Sequence, residues 1–132
     1  MRKKGFTLVE LIVVVTIMMV ITVIGTVSFS GINKRSRDSR RMSDLEKIAI
    51  AMEIYKQENG TYPTVSSDMP SGLVSDYIDA LPTDPKDYAY YYTRTDYTYY
   101  LYSHMEDVGS TTGSYENNCP SGTGCNYRIS NP

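Results

Sequence analysis

The chain has 132 residues, a formal net charge of −2, one histidine, two cysteines, no tryptophan and 13 tyrosines. This length leaves room for one small globular domain. A lone histidine, His104, argues against histidine catalysis and histidine metal clusters. Two cysteines build neither a disulfide-rich scaffold nor a four-ligand zinc site, and the slightly acidic balance argues against general nucleic-acid binding.

After a basic start, Met1-Arg2-Lys3-Lys4, and Gly5, residues 6–27 form a run of 22 residues with Glu10 as its one charge. As a helix this run spans about 33 Å, enough to cross a bilayer core. Beyond a weak patch at residues 28–31, Met42, Leu45, Ile48, Ala49, Met52 and Tyr55 recur at three- and four-residue steps. That recurrence predicts an apolar helix face, with Asp44, Glu46, Lys47, Glu53 and Lys56 largely off it. No proline interrupts residues 1–62, and Asn59-Gly60 with Pro63 beyond supplies a stop. The expectation is one nearly continuous helix from about residue 6 to residue 58, roughly 80 Å long.

Residues 60–132 hold all six prolines and predict a small β-rich head for the amphipathic half to pack on. One helical turn is expected near residues 73–77. Tyrosine runs at 88–92 and 97–102 flank Thr93-Arg94-Thr95-Asp96, which reads as a β-hairpin, with Tyr88, Tyr90 and Tyr92 on one strand face. A third strand is expected at 126–129, after a Gly/Ser/Thr-rich loop. The fold class is α+β: a long N-terminal helix on a small antiparallel sheet. The expected divisions are 1–5, 6–27, 28–59 and 60–132.

From residue 60 onward nine acids oppose three bases, a net charge of −6, while Lys34, Arg35, Arg37, Arg40 and Arg41 form a basic block. Pairing of that block with acidic heads of neighbouring copies is the economical reading. Anionic lipid headgroups and DNA are the alternatives.

Three readings compete for the N-terminus. A cleaved secretory signal has a shorter apolar run and no glutamate inside it. An ordinary signal anchor is opposed by the basic block, which outweighs the three leader bases and would hold the C-terminal part in the cytoplasm. The third rests on Lys3-Lys4-Gly5-Phe6-Thr7-Leu8-Val9-Glu10 followed by the apolar helix. This arrangement resembles the processing motif of type IV prepilins and type II secretion pseudopilins.

The resemblance implies cleavage between Gly5 and Phe6 by a prepilin peptidase, removing residues 1–5 as a leader, then N-methylation of Phe6. It implies polymerisation into a helical homo-oligomer by a membrane assembly platform with an ATPase. Glu10 is then the assembly residue. An acid in an apolar helix costs up to about 2.5–3.5 kcal/mol at mid-membrane, so it needs a partner, and the family suggests a neighbour's Phe6 amine. The chain would be a single-pass cytoplasmic-membrane protein first, then part of an extracellular filament or a periplasmic pseudopilus. A pilus subunit serving adhesion, twitching motility or DNA uptake is the first reading, tilted that way by the tyrosine hairpin and the cysteine pair. A major pseudopilin of a type II secretion system is the alternative, favoured by Leu81-Pro82-Thr83-Asp84-Pro85. A monomeric membrane-anchored binding domain is the second alternative.

Small and β-branched residues, among them Val13 to Thr16, Thr22, Val23, Gly25 and Thr26, suit close helix approach. A bend near Gly25 and residues 28–31 is expected in the fibre. Cys119 and Cys125 bracket five residues, a spacing that suits no common metal site and reads as a disulfide. In the family, calcium often sits in the later head loops, and Asp84, Asp87, Glu106 and Asp107 offer oxygen ligands, although no EF-hand spacing is present. Asn59-Gly60-Thr61 matches a glycosylation pattern that a helix stop explains as well. No catalytic residue set is visible, so no enzyme activity and no obligatory cofactor are expected.

Overall fold

The computed structural model describes residues 5–66, 68–115, 119 and 124–131, without the side chains of residues 25–28. Helix α1 spans Leu8–Asn59, 52 residues, within two residues of the expected ends. It stops where predicted. Gly60 takes a left-handed φ of 77° and donates its N–H to the Lys56 carbonyl at 2.8 Å, a turn that a side chain would strain. In this single chain the helix runs unbroken through residues 25–31. The expected bend concerns the assembled fibre.

The chain divides into two compact units, Met1–Asn33 and Lys34–Pro132. In the first, every described side chain from residue 5 to residue 24 is exposed. The segment is long and apolar enough to cross a membrane. Two of its hydroxyls are satisfied within the helix: Thr16 Oγ1 donates to the Val13 carbonyl at 2.8 Å and Thr22 Oγ1 to the Met18 carbonyl at 2.7 Å. Such back-bonding lets a threonine face lipid without an orphan donor.

The second unit packs residues 34–59 of α1 against five short strands: β1 (Val65–Ser66), β2 (Met69–Pro70), β3 (Tyr91–Arg94), β4 (Tyr99–Ser103) and β5 (Tyr127–Ser130). β1 and β2 form a small antiparallel pair, and β3-β4-β5 form an antiparallel sheet. Register sorts the side chains. The row Tyr92, Leu101 and Ile129 faces Leu45, Ile48, Ala51 and Met52 of the helix, with Tyr62, Leu73, Tyr90 and Tyr99 completing the core. The row Tyr91, Tyr102 and Arg128 lies on the other face, where Tyr91 and Tyr102 pack on Cys119 and Cys125. Those cysteines are joined as expected.

The hairpin connection sits two residues later than the tyrosine runs suggest. Its connection is Thr95 to Thr98, closed by the Thr95 N–H on the Thr98 carbonyl at 2.8 Å. Residues 88–90 lie outside the ladder. The cause is just upstream: Asp84 Oδ1 accepts the N–H groups of Lys86 and Tyr88, and Asp87 is left-handed at φ 59°. This turn delays the strand, and Tyr88 stacks on His104 instead, ring centres 4.5 Å apart. The free edge of β3 is covered in turn. The Tyr92 N–H donates to the Asp68 carbonyl and the Tyr92 hydroxyl to the Pro63 carbonyl, both at 2.8 Å, which removes an aggregation-prone edge.

The turn expected to be helical at 73–77 is a tight non-helical turn: the Tyr77 N–H donates to the Leu73 carbonyl, but Ser75 is left-handed at φ 78° and Val74 bridges to Ile78. The disulfide closes a short loop against the sheet. Replacing both Cys119 and Cys125 by serine should cost about 2 kcal/mol by loop entropy. That loss should lower the urea midpoint of the full chain in detergent micelles, read from tyrosine near-UV dichroism. An unchanged midpoint would show that the disulfide does not hold the head.

Candidate functional site

Two groups of residues carry chemistry. The first is the N-terminal segment. Phe6 is 91% exposed, and nothing lies within 4 Å of the position a side chain on Gly5 would take, so the Gly5–Phe6 bond is open to approach. Arg2, Lys3 and Lys4 lie outside the described residues. Glu10 is engaged by Thr7. Its Oε2 accepts the Thr7 N–H at 3.1 Å and the Thr7 hydroxyl at 3.2 Å, while Thr7 Oγ1 accepts the Glu10 N–H at 3.2 Å. This is a reciprocal capping box. It satisfies two backbone donors that the start of α1 would otherwise leave unpaired and gives the isolated carboxylate local partners. Sequence reasoning treated Glu10 alone and missed Thr7. The Thr-x-x-Glu spacing ahead of an apolar run was the available signal.

The second group is an ionic centre inside the head. Helix periodicity carries the buried stripe of α1 backwards from Met52, Ile48 and Leu45 to Arg41 and Asp38, both buried. The Arg41 side chain is 0% exposed. Its Nε and Nη2 grip Asp84 bidentately, and its Nη1 donates to Asp38 at 2.7 Å and to Glu106 at 2.9 Å. Asp38 also accepts the N–H groups of Glu106 and Asp107, fixing the turn after β4. Arg37 donates from two nitrogens to Glu106, and Lys86 reaches it at 3.2 Å. Three carboxylates thus meet three cations. Burial works against the Arg41 charge, but the hydrogen bonds it donates to Asp84, Asp38 and Glu106 outweigh it and raise its pKa above the ordinary value.

The basic block therefore does not wait for neighbouring copies. Arg35 pairs with Asp107 at 3.0 Å, Arg37 with Glu106, Arg40 with Asp44 at 3.8 Å, and Arg41 with all three central acids. The expectation of pairing between subunits is corrected for Arg37 and Arg41, whose partners lie in their own chain. Asp44 also departs from expectation: it is buried and accepts the Tyr90 hydroxyl at 3.1 Å. Apolar periodicity does not reveal these groups, because a charged residue on a helix reads as solvent-facing. Three of the four proposed calcium ligands are likewise committed elsewhere, Asp84 and Glu106 to Arg41 and Asp107 to Arg35, while Asp87 lies exposed at the surface. Among the described residues no group of three or more His, Cys, Asp or Glu is placed to hold a metal.

The Glu106 carboxyl is held well below the usual carboxylate range, first by the hydrogen bonds from Arg37 and then, against burial, by those from Arg41 and Lys86. A depressed native pKa gives stability that is complete above the unfolded value, about 4.3, and is lost as pH falls through the native value. Wild type should therefore lose melting temperature between about pH 5 and pH 3 more steeply than Glu106→Gln, which should melt lower at neutral pH. Thermal melts across that range check this; parallel acid limbs would contradict it.

A family profile described as "Prokaryotic N-terminal methylation motif" matches residues 1–26. The type II secretion system core protein G of Klebsiella pneumoniae is 31% identical over 98 residues, covering 64% of this chain and 69% of that protein. The core protein G of Vibrio cholerae is 29% identical over 105 residues, covering 68% and 72%. That of Escherichia coli K12 is 27% identical over 97 residues, covering 64% and 67%. No solved structure gives a significant match. With the processing motif at one end of an exposed apolar helix, and a small sheet packed on that helix's amphipathic half, the chain belongs to the type IV pilin and type II secretion pseudopilin family, as a structural, pilin-like filament subunit rather than an enzyme.

Proposed function

We propose that this chain is the major pseudopilin of a type II secretion system. The similarity to core protein G carries this reading. It favours the secretion alternative over the surface pilus suggested by the tyrosine hairpin and the disulfide. Residues 1–5 act as the leader. A prepilin peptidase cuts between Gly5 and Phe6 and methylates the new Phe6 amine. A membrane platform with its ATPase then draws residues 6–27 out of the cytoplasmic membrane into a periplasmic pseudopilus.

The physics of the apolar segment supports polymerisation. Lipid solvates Leu8, Val9, Leu11, Ile12 and the residues that follow. Once extracted, they need another apolar surface, and the same segment of other copies supplies one. Head-to-tail contacts between identical subunits that do not close into a ring build an open helical fibre.

Glu10 has two successive partners in this scheme. In the single chain the Thr7 cap holds its carboxylate. A cap of this kind is worth about 1 kcal/mol, little enough to exchange for a charged amine. In the fibre the methylated Phe6 amine of a neighbour takes it, and charge pairing sets axial register more than it adds stability.

Two variants separate capping from charge. Glu10→Val should insert in the membrane and be processed, but give no fibre. Glu10→Gln preserves the capping box and removes the charge, and it should also fail to assemble. Electron microscopy of sheared and periplasmic fractions, with mass spectrometry of the Phe6 terminus, reads both outcomes. Wild-type fibre yield from Glu10→Gln would exclude the charge-pairing role. Recovery of uncut monomer alone from wild-type cells would exclude the filament reading.

A further inference from the structure

The resemblance to pseudopilins implies calcium in the head loops, and the described carboxylates at the centre of the head do not fit it. Each oxygen a metal would use at the centre of this head is already an acceptor. Asp84 Oδ1 takes the N–H groups of Lys86 and Tyr88 and Arg41 Nη2, and its Oδ2 takes Arg41 Nε. Glu106 Oε1 takes Arg37 Nε and Arg41 Nη1, and its Oε2 takes Arg37 Nη2 and Lys86 Nζ. Asp38 Oδ1 takes Arg41 Nη1 and the Glu106 N–H, and its Oδ2 takes the Glu106 and Asp107 N–H groups.

We propose that Arg41 stands where a divalent cation would, its guanidinium tying helix α1 to the two loops that carry Asp84 and Glu106, so that the head closes without calcium. A calcium ion collects oxygens from separate segments around a double charge. Here the same segments converge on one planar cation. It offers five N–H donors in a fixed fork and keeps its proton at every physiological pH. Arg41 comes from the helix, Asp84 from the loop before β3, and Glu106 from the turn after β4. The Tyr88 ring, 5.6 Å from the guanidinium carbon, covers the cation from the side. Arg37 and Lys86 neutralise what Arg41 leaves, so the centre carries equal positive and negative charge and has no excess to attract a divalent ion. This inference concerns the head alone and holds whether or not the secretion assignment does.

The test compares thermal melts of the full chain in maltoside micelles, read by tyrosine near-UV dichroism, with excess EDTA or with millimolar calcium. Wild type should melt at the same temperature in both. Arg41→Ala leaves three acids facing a vacated space. It should melt lower in EDTA by at least about 10 °C, because uncompensated buried charge is strongly destabilising. Calcium should recover part of that loss, and sodium chloride of equal ionic strength should not. Arg41→Lys keeps one charge without the fork and should melt between the two in EDTA. Three results would each overturn the proposal: a wild-type melt lowered by EDTA and restored by calcium, an Arg41→Lys melt equal to wild type in EDTA, or an Arg41→Ala chain that calcium does not stabilise beyond the salt control.

Discussion

The head of this protein is organised around a charge that has no access to water. Arg41 occupies a helix position that periodicity reserves for core, one step back along the stripe that includes Leu45, Ile48 and Met52. An unpaired guanidinium there would cost several kcal/mol. The three carboxylates on it are therefore requirements rather than decoration. Satisfying them pulls in two distant stretches of chain, the loop holding Asp84 and the turn holding Glu106. One face of one helix thus does two jobs. Its later turns bury the tyrosine sheet by apolar contact, and its earlier turns fasten loops by directed hydrogen bonds.

That division suits a subunit built for transfer between environments. Apolar contact tolerates sliding, whereas a forked guanidinium with fixed acceptors does not. The cross-link sets a definite position for residues 34–59 relative to the sheet. The sheet itself is held on its far face by the disulfide against Tyr91 and Tyr102. The tyrosines of the head are mostly structural. Tyr62, Tyr90, Tyr92 and Tyr99 are buried, and their hydroxyls find acceptors where they reach the edge of the core, as Tyr90 does on Asp44 and Tyr92 on Pro63. Burial accordingly pushes the Tyr92 phenol up to about 12.

The other end of the chain solves a different problem. A carboxylate near the start of an exposed apolar helix needs donors, and Thr7 supplies them locally. Thr7 to Glu10, the last four residues of the stretch that resembles a processing motif, also form the helix N-terminus. Recognition by a peptidase and initiation of the helix are thus compatible demands on one short stretch.

Periodicity and composition were enough to read the long helix, its stop at Asn59-Gly60, the apolar span, the β-rich head, the third strand and the disulfide. Each depends on residues close in the chain or on a pattern repeated many times. The family was legible from the Gly5-Phe6 step, Glu10 and the run that follows. Tertiary structure alone decided the hairpin register, because the Asp84 turn that delays β3 is made by a side chain the helix also claims. It alone decided the fate of the basic block as well. A charged residue on a helix reads as solvated unless its partners are known, and two of Arg41's three partners lie 43 and 65 residues away. Proximity of that kind comes from folding, since local preference carries no record of which distant acid will arrive.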